Sequence, residues 1–319
     1  MSVNRSAKIY VAGHRGLLGS AIARVFAAAG YSNLVTRARA QLELADPQAV
    51  DHFFEHERPE YVVLAAGRVG GIVVNRDFPA DFITENLAIQ LNVMRAAHRG
   101  GVKRLVFFAS SCMYPREAPQ PMAEDLLLTG RPEPTSMAYA IAKFAGTETC
   151  LAYNRQFGGQ RFVPVIPNSV YGPNDNFDPA AGHVLSALLQ RFHAARLRGD
   201  GSVTLWGSGT PRREFLYADD LAAACLTILG ADLSGTPLPV NIGPGEDVSI
   251  RDLAATVARV VGYQGRIEWD RSKPDGAPRK LLDSARMRGL GWRASTGLET
   301  GIRMTYDWYR EHLQEKATT

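Results

Sequence analysis

Short apolar runs alternating with helix-spaced segments constrain this chain's fold more than any other feature of its sequence. Lys8-Ile9-Tyr10-Val11-Ala12 is short, apolar and followed by glycines, so it reads as a buried strand. Behind it Ile22, Val25, Phe26 and Ala29 recur at helical spacing until Gly30, where a helix would stop. The alternation repeats, with strands over residues 33–36, 61–66, 105–109 and 162–167. Between them lie helices over 47–57, where Val50, Phe53 and Phe54 face inward, and over 79–98 and 137–157. Strands apolar on both faces, separated by helices, require a parallel sheet covered on both sides. The expected fold class is α/β, a doubly wound parallel sheet. In such sheets ligands bind at the carboxyl ends of the strands.

After Tyr171-Gly172-Pro173 the regular alternation is lost. Loops rich in Pro, Gly and Asp (173–182, 207–211 and 273–278) separate shorter elements. A helix over 217–229 and a strand over 239–242 are placed to return to the sheet. The predicted organisation is a nucleotide-binding domain over residues 1–172, with 217–243 rejoining its sheet. Residues 173–216 and 244–319 then form a smaller, discontinuous substrate lobe. A chain of 319 residues, about two domains' worth, buries enough core to need no disulfide staples. Cys112, Cys150 and Cys225 are odd in number and include no CxxC pair, which argues against a secreted framework and a cysteine-ligated zinc site. No apolar run approaches the roughly 18 residues of a membrane span, and no signal-like stretch precedes the first strand. The expectation is a cytoplasmic protein with no membrane partner. Its formal charge of +4 fits nucleic acid, a membrane surface or a small anionic ligand equally well.

Gly13-His14-Arg15-Gly16-Leu17-Leu18-Gly19 follows the first strand and opens the first helix. Glycines there let the backbone approach a diphosphate, and the helix N-terminus supplies open N–H groups and a positive dipole end. The stretch is a candidate dinucleotide site, weighed against a plain strand-to-helix turn. An NAD site would place Asp or Glu after the second strand to hold the ribose 2′-hydroxyl. Here the sequence is Thr36-Arg37-Ala38-Arg39, with no acid before Glu43. The forked guanidinium of Arg39 suits a 2′-phosphate, and Arg15 can close on the same group, so NADP(H) is the expected cofactor. Asp46 offers a carboxylate to the adenine amino group.

Tyr139-Ala140-Ile141-Ala142-Lys143 places a phenol and an ammonium on one helix face. A tyrosine, with its pKa near 10, needs a neighbouring cation to exchange protons at neutral pH, and Lys143 supplies one. Ser110, at a strand end, can bind the same carbonyl oxygen. Glycine loop, strand-end serine and YxxxK in this order resemble the short-chain dehydrogenase/reductase family. Glycine spacing and chain length resemble its extended branch, which mostly handles nucleotide sugars on a Rossmann sheet.

Further motifs sharpen the resemblance. They are Val69-Gly70-Gly71-Ile72, Ser110-Ser111-Cys112-Met113-Tyr114-Pro115, Tyr171-Gly172-Pro173-Asn174-Asp175-Asn176-Phe177, His183, the run Trp206 to Leu216 containing Arg213-Glu214-Phe215, and Lys273 to Lys280. In order, they resemble the branch members that use NADPH to epimerise C3 and C5 and reduce C4 of GDP-4-keto-6-deoxy-D-mannose, giving GDP-L-fucose. The resemblance implies Tyr139 as donor at the C4 oxygen, Ser110 as its hydrogen-bonding partner and Lys143 as activator. It further implies Cys112 as base and His183 as acid for epimerisation. Cofactor contacts are implied for Lys143, Pro167, Asn168, Ser169, Val170 and His183. Substrate contacts are implied for Arg191, Trp206, Arg213, Asp275 and Lys280, and a homodimer through helices 79–98 and 137–157; no metal is implied. The chemistry is coherent, because C3 and C5 both flank the C4 carbonyl and share one enolate, which donors at that oxygen stabilise. A thiolate and an imidazole both exchange protons near neutrality, and a carboxylate such as Asp275 can accept from guanine's N–H edge.

One departure stands out. The resembled pattern has Asn two residues before the Tyr of YGP, whereas this chain reads Pro167-Asn168-Ser169-Val170-Tyr171. A shift of one residue turns a strand side chain to the opposite face, so the sugar accepted is open. Two other signals carry less. His52-Phe53-Phe54-Glu55-His56 fits a metalloprotease pattern, but two phenylalanines make it an ordinary core helix. The basic run 191–198 needs no nucleic acid: Arg15, Arg39, Lys143, Arg191, Arg213 and Lys280 are six proposed ligand-facing cations, more than the net +4. Competing functions are another extended reductase (a 4-epimerase, 4,6-dehydratase or 4-keto reductase) and a non-catalytic NADP-sensing module.

Overall fold

Six parallel strands organise the chain. In the computed structural model, residues 3–179, 182–273 and 275–317 are described; Pro274 of the 273–280 motif and positions 180–181 of the 173–182 loop fall outside them. In chain order the first half runs β1 (Ile9–Ala12), α1 (Leu17–Ala28), β2 (Leu34–Val35), α2 (Pro47–Glu57), β3 (Tyr61–Leu64), α3 (Ile72–Asp77), α4 (Pro79–Arg99), β4 (Arg104–Phe108), α5 (Met137–Phe157) and β5 (Phe162–Pro167). The second half follows as β6 (Ser169–Tyr171), α6 (Val184–Arg198), β7 (Ser202–Trp206), β8 (Arg212–Arg213), β9 (Phe215–Tyr217), α7 (Ala218–Gly230), β10 (Val240–Ile242), β11 (Val248–Ser249), α8 (Ile250–Val261), β12 (Arg266–Asp270), β13 (Arg279–Lys280), α9 (Ala285–Gly289) and α10 (Leu298–Ala317).

The main sheet has the order β10-β5-β4-β3-β1-β2, and every pairing in it is parallel. It is the doubly wound, Rossmann-type α/β sheet expected from the alternation. The second strand is shorter than the expected 33–36, only Leu34–Val35, because at the sheet's edge it pairs with β1 alone. Both faces of the sheet are covered. Ile9, Val11, Ile22, Phe26, Val106, Leu221 and Ile228 close one face, beneath α1 and α7. Tyr10, Phe53, Phe54, Val93, Met94, Phe107 and Cys150 close the other, beneath α2, α4 and α5. Burying each large apolar side chain contributes about 1.5–3 kcal/mol. Between α4 and α5 the approach is so close that a Cβ on Gly146 would lie 2.4 Å from the Phe107 ring and 2.6 Å from Gln90 Oε1. Gln90 Nε2 donates across that contact to the Ala142 carbonyl, 2.7 Å away.

A third core, with Leu189, Phe192, Leu205, Leu253, Val257 and Ile302, joins α6, α8 and α10 to β7. Beside it β7 pairs with β12, and β8 pairs with β11 and β13. The strand order reverses at β1, whose neighbours β2 and β3 lie on opposite sides. The carboxyl ends of β1 and β3 therefore open a crevice, and both the glycine loop and residues 65–68 lie at it. Among the described residues no helix is long and apolar enough to cross a membrane.

Candidate active site

The glycine loop lies against the end of β3. Gly13 adopts φ +82°, and a Cβ there would meet the Ala66 nitrogen at 2.8 Å. A Cβ on Gly19 would fall 2.1 Å from the Gly13 carbonyl oxygen, so the helix begins directly on the turn that Gly16 N–H closes onto Gly13 O. Gly16 caps α1 without any side-chain hydrogen bond, and the first turn carries no acid. Leu17 and Leu18 thus enter the helix with its N-terminal dipole uncompensated, as an anion site requires. His14 Nδ1 is buried without a partner, and burial, with Arg15 beside it, holds that imidazole's pKa down. The loop fits the diphosphate of a dinucleotide.

Of the two arginines after β2, only one is available. Arg37 donates to the Thr36 carbonyl, pairs with Glu57 and lies over the Phe53 ring. Arg39 is largely exposed, at 74% for the side chain, and its contact is the Glu43 carboxylate at 2.6 Å. Arg15 is exposed as well. Asp46 serves as the N-cap of α2, accepting from the N–H groups of Gln48 and Ala49 with Pro47 at the first helical position.

The reacting groups gather where β4 ends. Ser110 caps a single 3-10 turn, Ser111–Met113, and accepts from the Cys112 N–H at 3.2 Å. The partly buried Cys112 therefore sits on a turn pinned to Ser110, whereas Cys150 and Cys225 are fully buried. Tyr139 stands in the first turn of α5, its ring edge-on to Phe82 at 6.1 Å. Burial pushes its phenol above the ordinary tyrosine pKa, Cys112 adds to the rise, and the facing Ser110 hydroxyl opposes it. One turn on, Lys143 is only 5% exposed. Its Nζ donates to the Phe108 carbonyl at 2.9 Å and lies 5.8 Å from the Tyr139 ring centre. Burial brings its pKa down to about 8.

His183 approaches from another element, as the N-cap residue of α6. Its Nδ1 lies 3.6 Å from an Asp175 oxygen, and that carboxylate raises its pKa against the opposing effect of burial. Asp175 is itself fixed by Ser186 and by the Asn176 N–H. No hydrogen bond or ion pair joins His183 to Ser110, Cys112 or Tyr139.

The five substrate candidates lie on α6, on β7, β8 and β13, and on the loop before β13. Arg191, on α6, donates to the Thr204 carbonyl of β7. Trp206 ends that strand, 63% exposed, with Lys273 over its ring. Asp275 accepts from both the N–H and the hydroxyl of Ser208, each at 2.7 Å, which holds its pKa down. Both of its oxygens thus serve the turn after β7, a role that the sequence does not reveal. A Cβ on Gly276 would sit 3.7 Å from Arg213 Nη2. Arg213 and Lys280 are register partners in the β8–β13 pair, which sets two cations side by side.

Pro167 ends β5, while Ser169 and Val170 begin β6. Asn168, between them, turns inward, accepting from the Ser111 hydroxyl and donating to Glu214. Sequence reasoning assigned no role to Glu214 or Asn86. The Asn86 side chain bonds the backbone of Arg68 at both N–H and carbonyl, fixing the 66–68 segment beside Lys143. The available signal was an Asn at an inward position of α4, among Phe82, Val93 and Met94.

A doubly wound sheet with a glycine loop, a strand-end serine and a Tyr–Lys pair on one helix face defines an extended short-chain dehydrogenase/reductase. The chain belongs to the NAD dependent epimerase/dehydratase family, which it matches over residues 9–243. More particularly, it is 51% identical over 310 residues to GDP-L-fucose synthase 1 of Arabidopsis thaliana, covering 97% of this chain and 95% of that protein. The GDP-L-fucose synthase of Escherichia coli K12 is 49% identical over 312 residues, 96% of this chain and 97% of that protein. Among solved structures, a GDP-mannoheptose C4 reductase from Campylobacter jejuni with NADP bound superposes with a TM-score of 0.88. It is 38% identical, covering 97% of this chain and 100% of that one.

Proposed function

We propose that this chain is an NADPH-dependent epimerase and reductase that converts GDP-4-keto-6-deoxy-D-mannose to GDP-L-fucose. The observation that carries this reading is a partly buried cysteine, Cys112, on the turn capped by Ser110. A simple reductase has no use for a base at that place. The cysteine takes the proton from C3 or C5, and the electron pair passes to the C4 oxygen. Ser110 and Tyr139 hold that oxygen as its charge develops. His183 returns a proton to the opposite face, and its Asp175 contact favours the imidazolium that this needs. When bound, NADPH supplies the hydride for C4. Tyr139 then delivers its proton to the oxygen, and Lys143 stabilises the phenolate left behind.

NADP(H) as the particular cofactor rests on exposed Arg39 and Arg15 and on the absence of an acid directly after β2. GDP as the nucleotide rests on Arg191, Arg213 and Lys280 for the diphosphate, with Trp206 offering an exposed flat face. Residues 1–172 with 217–243 then form the cofactor domain and the remainder the substrate lobe. Leu91 and Ile141, 46% and 47% exposed on α4 and α5, suit a contact with a second copy.

The test is incubation with NADPH and GDP-4-keto-6-deoxy-D-mannose in deuterated water, with products read by NMR. NADPH oxidation with deuterium at both C3 and C5 is expected; no NADPH consumption would refute the reading. A second reading, a C4 reductase without epimerisation, is favoured by the inward turn of Asn168. It would oxidise NADPH while leaving C3 and C5 free of deuterium.

A further inference from the structure

Glu214 is wholly buried, and among the described residues it makes no ion pair. Taking a carboxylate out of water without a cation costs several kcal/mol unless hydrogen bonds replace the lost hydration. Here they do. Oε1 accepts from the Gly245 N–H at 2.8 Å, and Oε2 accepts from the Leu282 N–H at 3.0 Å and from Asn168 Nδ2 at 2.9 Å. The space is cut to fit, because a Cβ on Gly243 would lie 2.3 Å from Oε1. A leucine or methionine would fill such a place without burying a charge. What the carboxylate gains is three directed bonds to three separate segments.

Those segments meet the reaction from two sides. Asn168, 8% exposed, passes the connection on: its Oδ1 accepts from the Ser111 hydroxyl at 3.1 Å, and its Nδ2 also donates to the Lys280 carbonyl at 3.2 Å. Ser111 lies between Ser110 and Cys112 on the catalytic turn. Lys280 is the substrate-facing cation of β13, Leu282 lies two residues beyond it, and Arg213, the register partner of Lys280, directly precedes Glu214. We propose that Glu214 is a positioning residue which, through Asn168, fixes the Ser110–Cys112 turn in one frame with Arg213 and Lys280. The acid–base groups are thereby held in register with the anchored diphosphate. This rests on the functional reading above and adds a residue to it.

Two variants test it. Ser111→Ala removes only the last link to the turn and leaves the carboxylate's own bonds intact. Glu214→Gln sets an amide N–H₂ against a donor N–H whichever way it is turned. Both are expected to lower the rate of solvent-deuterium entry at C3 and C5 about tenfold or more, while the Kd for NADPH stays within twofold. Carbamidomethylation of Cys112, read by mass spectrometry, needs no substrate and is expected to quicken at least threefold as the turn is freed. If Glu214→Gln fails to fold, Ser111→Ala decides alone. Wild-type exchange and alkylation rates in the variants would overturn the positioning role. A wild-type protein inert toward the ketosugar would instead sink the functional reading, leaving the alkylation rates to judge Glu214.

Discussion

Replacing Lys143 by methionine should abolish turnover and yet leave the folded chain no less stable at neutral pH. Burial brings the ammonium's pKa from 10.5 to about 8. At pH 7 the residue is therefore charged in both folded and unfolded chains, and holding that charge in the folded state costs about 3 kcal/mol. Methionine removes the cost and also removes the charged hydrogen bond to the Phe108 carbonyl, worth about 1.5–3 kcal/mol. The variant should equal the wild type at pH 7 or exceed it by about 1–2 kcal/mol. The pH dependence is the sharper measurement. Between pH 8 and 10.5 the unfolded lysine holds a proton that the folded one has released, so the wild type gains stability as the pH rises. By pH 10 the remaining penalty is under about 1 kcal/mol, so the difference between variant and wild type should shift toward the wild type by about 2–3 kcal/mol. Urea unfolding of nucleotide-free protein at pH 7 and pH 10 reads this directly. An unchanged difference would show that Lys143 is not desolvated in the folded chain, and the account of its activation would fail with it.

Three further outcomes follow from the site. Cys112→Ser should cut deuterium entry at C3 and C5 by about a hundredfold or more with NADPH affinity intact; unaltered exchange would remove the thiol from the mechanism. Asp175→Asn takes away the negative charge that helps raise the His183 pKa, so the alkaline limb of the pH–rate profile should move to lower pH; a profile that stays in place would separate His183 from the rate. Arg39→Ala should raise the KM for NADPH roughly tenfold and leave the KM for NADH alone, equivalent to about 1.4 kcal/mol of a charge-assisted contact. Equal effects on the two cofactors would remove Arg39 from the 2′-phosphate.

The sheet was legible because its strands announce themselves twice, by apolar runs and by the glycines and helices between them. Helices 47–57 and 137–157 coincide with α2 and α5 to the residue, since Asp46-Pro47 and Phe157-Gly158 mark ends by local chemistry. The second strand was overestimated by its polar ends, Asn33 and Thr36, because the sequence does not reveal that its partner lies on one side only. Tyr139, Lys143 and Ser110 were legible through spacing and order. What stayed hidden depends on contacts far apart in sequence. Nothing near Glu214 foretells that it bonds residues 46 positions before it and 68 after it. Asp275 looked like a ligand for guanine because a loop carboxylate is a plausible acceptor, yet its two oxygens meet Ser208, 67 residues away.

Tyr139 and Lys143 are shifted from one physical cause. Burial disfavours charge of either sign, so it raises Tyr139 and lowers Lys143 from one cause. Here the resting phenol is a neutral donor, and Lys143, near 8, is still mostly cationic at pH 7. A neutral donor beside a charged ammonium is the arrangement that favours giving a proton to a developing alkoxide, because the phenolate that results finds its counter-charge already in place. The same arrangement serves the enolate of the epimerisation steps, where the C4 oxygen must be held by hydrogen bonds without taking the proton for good. One electrostatic setting, fixed by how α5 packs on the end of β4, is thus suited to both halves of the reaction.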